Sequence, residues 1–175
     1  MAVVAPKRSG KTLVTAVALL WKSLGPDRLS VCLANSRESA QSLGFAEAVK
    51  LVERGPLAHD AKILRGEIRF SWNASIRAVP CSAAGVSGLT VSGLLVSDEA
   101  WAADDEEPLN LLSSQTEGAE AQTLLVSQAS GLESVVYRTY EAGEAQTPGL
   151  WVDYVRPEEL DAGLTINPYL TADYL

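Results

Sequence analysis

One histidine, one methionine and two cysteines leave this chain little material for metal or thiol chemistry. His59 has no second histidine to share a metal with, and it falls in the polar stretch GPLAHDA, where a solvated loop residue is expected. Cys32 and Cys81 lie far apart without CxxC spacing, so they read as reduced core residues rather than as a disulfide or a reactive thiol. No apolar run reaches the ~20 residues of a membrane span, and no charged-then-apolar leader precedes the first apolar run. A cytosolic protein is the expectation.

Basic residues are also scarce where the acidic ones gather. Residues 1–77 hold 12 Lys and Arg against 6 Asp and Glu, or +6, whereas residues 78–175 hold 2 against 16, or −14. A chain of net charge −8 is no general polyanion binder, so any nucleic-acid contact must be local to the N-terminal half. With 47% hydrophobic and 21% charged residues, its 175 residues suffice for one domain with a sizeable core.

Periodicity alternates strands with helices. After a short run AVVA and a helical stretch TLVTAVALLWKSL, whose Leu13, Val17, Leu20 and Leu24 share one face, RLSVCLA (28–34) reads as a buried strand. Residues 36–54 read as a helix capped by Ser36 and closed near Gly55 and Pro56. EIRFSW (67–72) and SIRAVPC (75–81) are extended pieces joined by an Asn-Ala turn, and the first alternates polar and apolar as a half-buried hairpin does. A small-residue loop (82–90) leads into the apolar strand GLLVS (93–97). A short helix at 108–115, a strand at 122–128, a helix from about Glu133 to Ala142 and a strand at 149–155 complete the pattern. The mostly βαβ order predicts an α/β fold: a mostly parallel central sheet with helices on both faces.

The stretch APKRSGKT (5–12) sits between the first strand and the first helix. A phosphate-binding loop reads GxxxxGK[ST] there, because its backbone N–H groups and the helix N-terminus together enclose phosphates. The first glycine is missing. Ala5 takes its place, which an extended φ tolerates, since only positions with φ > 0 demand glycine. Pro6, Lys7, Arg8 and Ser9 fill the loop before Gly10. Lys11 would reach the β- and γ-phosphates of ATP and the Thr12 hydroxyl would ligate Mg²⁺.

In open α/β sheets ligands sit beyond the carboxyl ends of the strands. GLLVS leads into Asp98 and Glu99, an acid pair suited to hold Mg²⁺ (Asp98) and to orient and deprotonate an attacking water (Glu99). The strand at 122–128 ends in Ser127, Gln128 and Ala129, polar groups able to sense a γ-phosphate.

Together APKRSGKT, LLVSDEAW and LLVSQASG resemble the ATPase domain of the large terminase subunit of tailed bacteriophages, the motor that pumps DNA into a capsid. VCLANSRESAQSL, SAAGVSGLT and the closing INPYLTADYL, with Asn167 and Pro168, extend the resemblance over nearly the whole chain. It implies a P-loop NTPase of the additional-strand, RecA-like type, with residues 1–155 as ATPase core and 156–175 as the start of a lid or linker. It implies Lys11 and Thr12 as phosphate and Mg²⁺ residues, Asp98 and Glu99 as the acid pair, and Ser127, Gln128 and Ala129 as the coupling motif. Family members carry an arginine three residues before the final loop glycine; Lys7 stands there with Arg8 beside it, and both are candidates for the γ-phosphate. Implied partners are double-stranded DNA, the small terminase subunit and the portal ring, in a homo-oligomeric ring within the infected host's cytoplasm. The resemblance also implies an adenine-recognising segment ahead of the first strand, which starts here at residue 2, and a nuclease domain after the ATPase core; impaired base recognition and no cutting activity from these 175 residues are the expectations.

Two other readings fit the motifs. Helicases of the second superfamily share the DE pair and a serine-alanine motif in their first RecA-like domain. A nucleotide-binding assembly module without hydrolysis is the third, although the intact Lys11, Asp98 and Glu99 argue against it. For the leading reading, DNA contact is expected around Arg37, Lys50, Arg54 and Lys62.

Overall fold

The computed structural model describes residues 2–4, 10–34, 44–98, 121–127, 135–150 and 152–154. Eight strands appear in chain order: β1 (Ala2–Val4), β2 (Leu29–Ala34), β3 (Ala61–Leu64), β4 (Glu67–Phe70), β5 (Ser75–Pro80), β6 (Leu94–Asp98), β7 (Gln122–Ser127) and β8 (Val152–Tyr154). Four α-helices accompany them: α1 (Lys11–Lys22), α2 (Gly44–Arg54), α3 (Ala83–Val86) and α4 (Val135–Glu144). The strands form one sheet in the order β3-β4-β5-β2-β6-β7-β1-β8. From β5 to β8 every pairing is parallel, and β3 and β4 add an antiparallel wing at one edge. The expected α/β architecture is therefore the one found.

Strands buried on both faces need apolar side chains at consecutive positions, which is why LSVCLA and LLVS lack alternation. Cys32, Ile76, Leu94, Val96, Leu124 and Val126 face one core, with Ala16 and Leu19 of α1 and Phe45, Ala48 and Val52 of α2. Their neighbours Val31, Leu33, Val79, Leu95 and Leu125 face the other, with Val86 of α3. On that second face α4 lies close on β8: a side-chain carbon at Gly143 would run into Val152. A buried chain of hydroxyls ties α1 to the sheet, with Ser23 Oγ donating to Leu19 O (2.8 Å), Ser23 and Ser30 Oγ 3.0 Å apart, and Leu94 N donating to Ser30 Oγ at 3.2 Å.

The buried face of α1 is not the one the leucine spacing suggests. Leu13, Val17 and Leu24 are exposed, as are Val14 and Trp21, while Thr15, Ala16 and Leu19 face the sheet. Small residues win that face because the sheet lies close beneath it, and the helix turns its bulk outward. A second departure is β3, which the sequence pattern does not mark: AKIL is too short to alternate, and its pairing with β4 defines it. Within the expected 82–90 loop, Ala83–Val86 forms one helical turn. Asp98 is the last residue of β6 rather than the first beyond it. Ser36 with the first part of its helix, and the 108–115 helix, lie outside the described residues.

Thr15 has a consequence for stability. Its Oγ1 is buried without a hydrogen-bond partner among the described residues, a state that costs about 1–3 kcal/mol relative to a satisfied or apolar group. Thr15→Val keeps the shape and the helix propensity, and it should raise stability by about 1 kcal/mol or more. Urea unfolding checks this: a lower midpoint would mean that the hydroxyl has a partner.

Candidate nucleotide site

Because β1, β7 and β6 are parallel neighbours, all three release the chain at the same edge of the sheet. Val4 pairs with Ser127, and Val3 and Asp98 both pair with Val126, so the three ends differ by no more than one residue. One strand, β7, separates the strand before the loop from the strand that ends in Asp98. Two strand spacings are about 10 Å, which sets the separation between the end of β1 and Asp98 at the end of β6.

At that edge α1 begins. Gly10, its N-cap, adopts φ 86° and ψ 7°, the left-handed conformation that disfavours any residue with a Cβ by about 1–2 kcal/mol. Its carbonyl accepts the first helical bond, from Val14 N at 3.1 Å. An added Cβ would meet nothing within 4 Å, so φ rather than space makes glycine the fitting residue. Lys11 and Thr12 follow in the first turn, half-buried. That turn contains no acidic residue and the N-cap makes no side-chain bond, so the positive end of the helix is not offset by an anion of its own.

Ser127 is buried, 2% exposed, on the strand between the two outer ends. The described geometry thus gathers Gly10, Lys11, Thr12, Asp98 and Ser127 along one sheet edge. Ala5, Pro6, Lys7, Arg8, Ser9, Glu99, Gln128 and Ala129 lie outside the described residues. His59 is exposed in a 3-10 turn, Pro56–His59, and Cys32 is buried and Cys81 half-buried. Of the four bases expected to meet DNA, Arg37 lies outside the described residues. Lys50 pairs with Glu47 at 2.9 Å, and Arg54 and Lys62 are exposed.

One group escaped the sequence reading. Glu67 of β4 bonds Arg69 Nη2 at 2.7 Å and Arg77 Nε of β5 at 2.9 Å. Burial by itself would raise the Glu67 carboxyl, but the hydrogen bonds and charges of the two guanidiniums outweigh it and hold it below the usual carboxylate range. The signal was the alternation in EIRF, which puts Glu67 and Arg69 on one face of a strand whose other face is apolar.

No family model matches the chain, and no curated protein matches it. Among solved structures it is similar to the large terminase of bacteriophage HK97 (TM-score 0.78, 20% identity, 97% of this chain and 39% of that one). It is also similar to the large terminase of a thermophilic bacteriophage in complex with ADP (TM-score 0.72, 10% identity, 99% and 42%). A third is a mutant of the Thermus phage P74-26 large terminase ATPase domain (TM-score 0.64, 18% identity, 97% and 83%). The chain therefore spans about two fifths of the first two proteins and most of the isolated ATPase domain. It has the fold of a large-terminase ATPase domain. No described helix is long and apolar enough to cross a membrane.

Proposed function

We propose that the chain is the ATP-hydrolysing motor domain of a DNA-packaging terminase, with residues 1–155 as the core and 156–175 as the start of a lid or linker. The observation that carries this reading is the strand order: β7 stands between β1, which leads into APKRSGKT, and β6, which ends in Asp98, all three ending at one edge. Supporting it, the thermophilic-phage large terminase of the same fold was solved with ADP.

In this reading Ala5 to Thr12 enclose the phosphates with backbone N–H groups and the N-terminus of α1. Lys11 places a charge on the β- and γ-phosphates, and Lys7 or Arg8 adds one on the γ-phosphate; only Arg8 offers a guanidinium fork. Thr12 and Asp98 are hard oxygen ligands, a donor set that fits Mg²⁺, which when bound would neutralise charge on the phosphates. Glu99 orients and deprotonates the attacking water. Ser127, Gln128 and Ala129 register the γ-phosphate and pass its loss to the loop after β7. Partners are double-stranded DNA, the small terminase subunit and the portal ring, in the host cytoplasm.

The test is turnover of ATP by this chain with and without Mg²⁺. Phosphate release should require the cation and stop on chelation. Release at an equal rate in excess chelator would refute the assignment of Thr12 and Asp98.

A further inference from the structure

The wing formed by β3, β4 and β5 has one face in the core and an opposite face that, among the described residues, only the single turn of α3 borders, at the Val79 end of β5. Ile68, Phe70 and Ile76 point inward with α1 and α2. Register and alternation put Lys62, Glu67, Arg69 and Arg77 on the opposite face. Arg65 stands at the β3–β4 turn, beside Gly66 with φ 80°. Residues 61–80 hold four cations against the single carboxylate of Glu67, a local charge of +3 in a chain of −8.

Three features of this face are unaccounted for by the fold. Lys62 lies directly opposite Arg69 in the antiparallel ladder, and like charges so placed are destabilising. Glu67 holds two guanidiniums, yet the Arg69 and Arg77 side chains stay 58% and 42% exposed. Lys62 and Arg65 have no ion-pair partner among the described residues. Arg65 and Arg77 also line a groove of about 470 Å³ with Gly66, Val79, Gly85 and Leu89.

We propose that this face binds the phosphate backbone of duplex DNA through Lys62, Arg65, Arg69 and Arg77, with Glu67 positioning the last two. The choice of duplex DNA rests on the packaging-motor reading. Guanidinium forks match phosphate oxygens bidentately, and three of the four cations are arginines. Exposed guanidinium and ammonium groups on a sheet face contact phosphates rather than base edges, so binding is independent of sequence. The antiparallel pairing also has a role here: it aligns cations from three adjacent strands, which one helix face could not do.

The probe is a short fluorescent duplex of mixed sequence, titrated with the full chain over a series of salt concentrations. Each phosphate-contacting cation removed should lower the log–log salt slope by about one. Arg65→Gln alone, on a turn with no ion pair to lose, should remove about one unit, and the triple variant Arg65→Gln, Arg69→Gln, Arg77→Gln about three. The control Lys22→Gln, Arg28→Gln, Arg138→Gln removes the same charge elsewhere and should leave most of the slope. Equal slopes in the two triple variants, or a larger loss in the control, overturn the proposal. So does a wing variant that changes sedimentation but not DNA affinity, since the face would then be a contact with acidic protein surface. Nucleotide binding by the parent chain, followed separately with a fluorescent ATP analogue, tests the motor reading: its absence counts against that reading, whereas nucleotide binding with an unchanged wing slope counts against the wing alone.

Discussion

Lys11→Ala is expected to remove productive ATP binding. The variant keeps the backbone N–H groups and the left-handed Gly10 that together start α1, so the loop retains its shape. What it loses is the charge that, on the proposed reading, faces the β- and γ-phosphates, and contacts to a charged group contribute about 1.5–3 kcal/mol each. Affinity should therefore fall by at least about 10–100-fold. Alanine is the best helix former, so the first turn of α1 should survive, and the thermal midpoint controls for folding. Titration of a fluorescent ATP analogue reads the effect. Unchanged affinity and turnover would remove Lys11 from the site and the phosphate loop with it.

Glu99→Gln should separate binding from chemistry. The amide is nearly isosteric with the carboxylate and keeps one acceptor oxygen, but it cannot take the proton of the attacking water. Loss of a general base costs about 10²–10⁴ in rate, while nucleotide affinity should hold. Asp98→Asn should instead act through the cation, weakening Mg²⁺ dependence first. Single-turnover phosphate release in both variants distinguishes them. Should Glu99→Gln turn over like the parent while Asp98→Asn does not, the roles of the two acids would have to be exchanged.

The parallel core was readable because strands buried on both faces must be apolar without interruption, as VCLA and LLVS are. APKRSGKT and the Asp98-Glu99 pair could be picked out as candidates because the proposed chemistry demands particular residues at particular places on strands and helices. That the strands leading to them, β1 and β6, end at one edge was not readable from spacing. It depends on β7, a strand from residues 122–127, inserting between β1 and β6, a long-range pairing with no local signature. The face of α1 was misread for a related reason: leucine spacing at 13, 17, 20 and 24 marks an apolar stripe, but the close sheet selects Thr15, Ala16 and Leu19 instead. The four residues of β3 carry too little pattern to announce a strand. The Glu67 triad needs β4 and β5 in register before its charges come together.

The central claim is that one nucleotide sits at the edge where β1, β7 and β6 end. A crystal structure of the chain with ATPγS and Mg²⁺ tests it most directly. The account predicts phosphates against the backbone N–H groups of Gly10, Lys11 and Thr12, with Asp98 across the gap on the side of the cation. Nucleotide density bound elsewhere on the sheet, with the N-terminus of α1 empty, would contradict it.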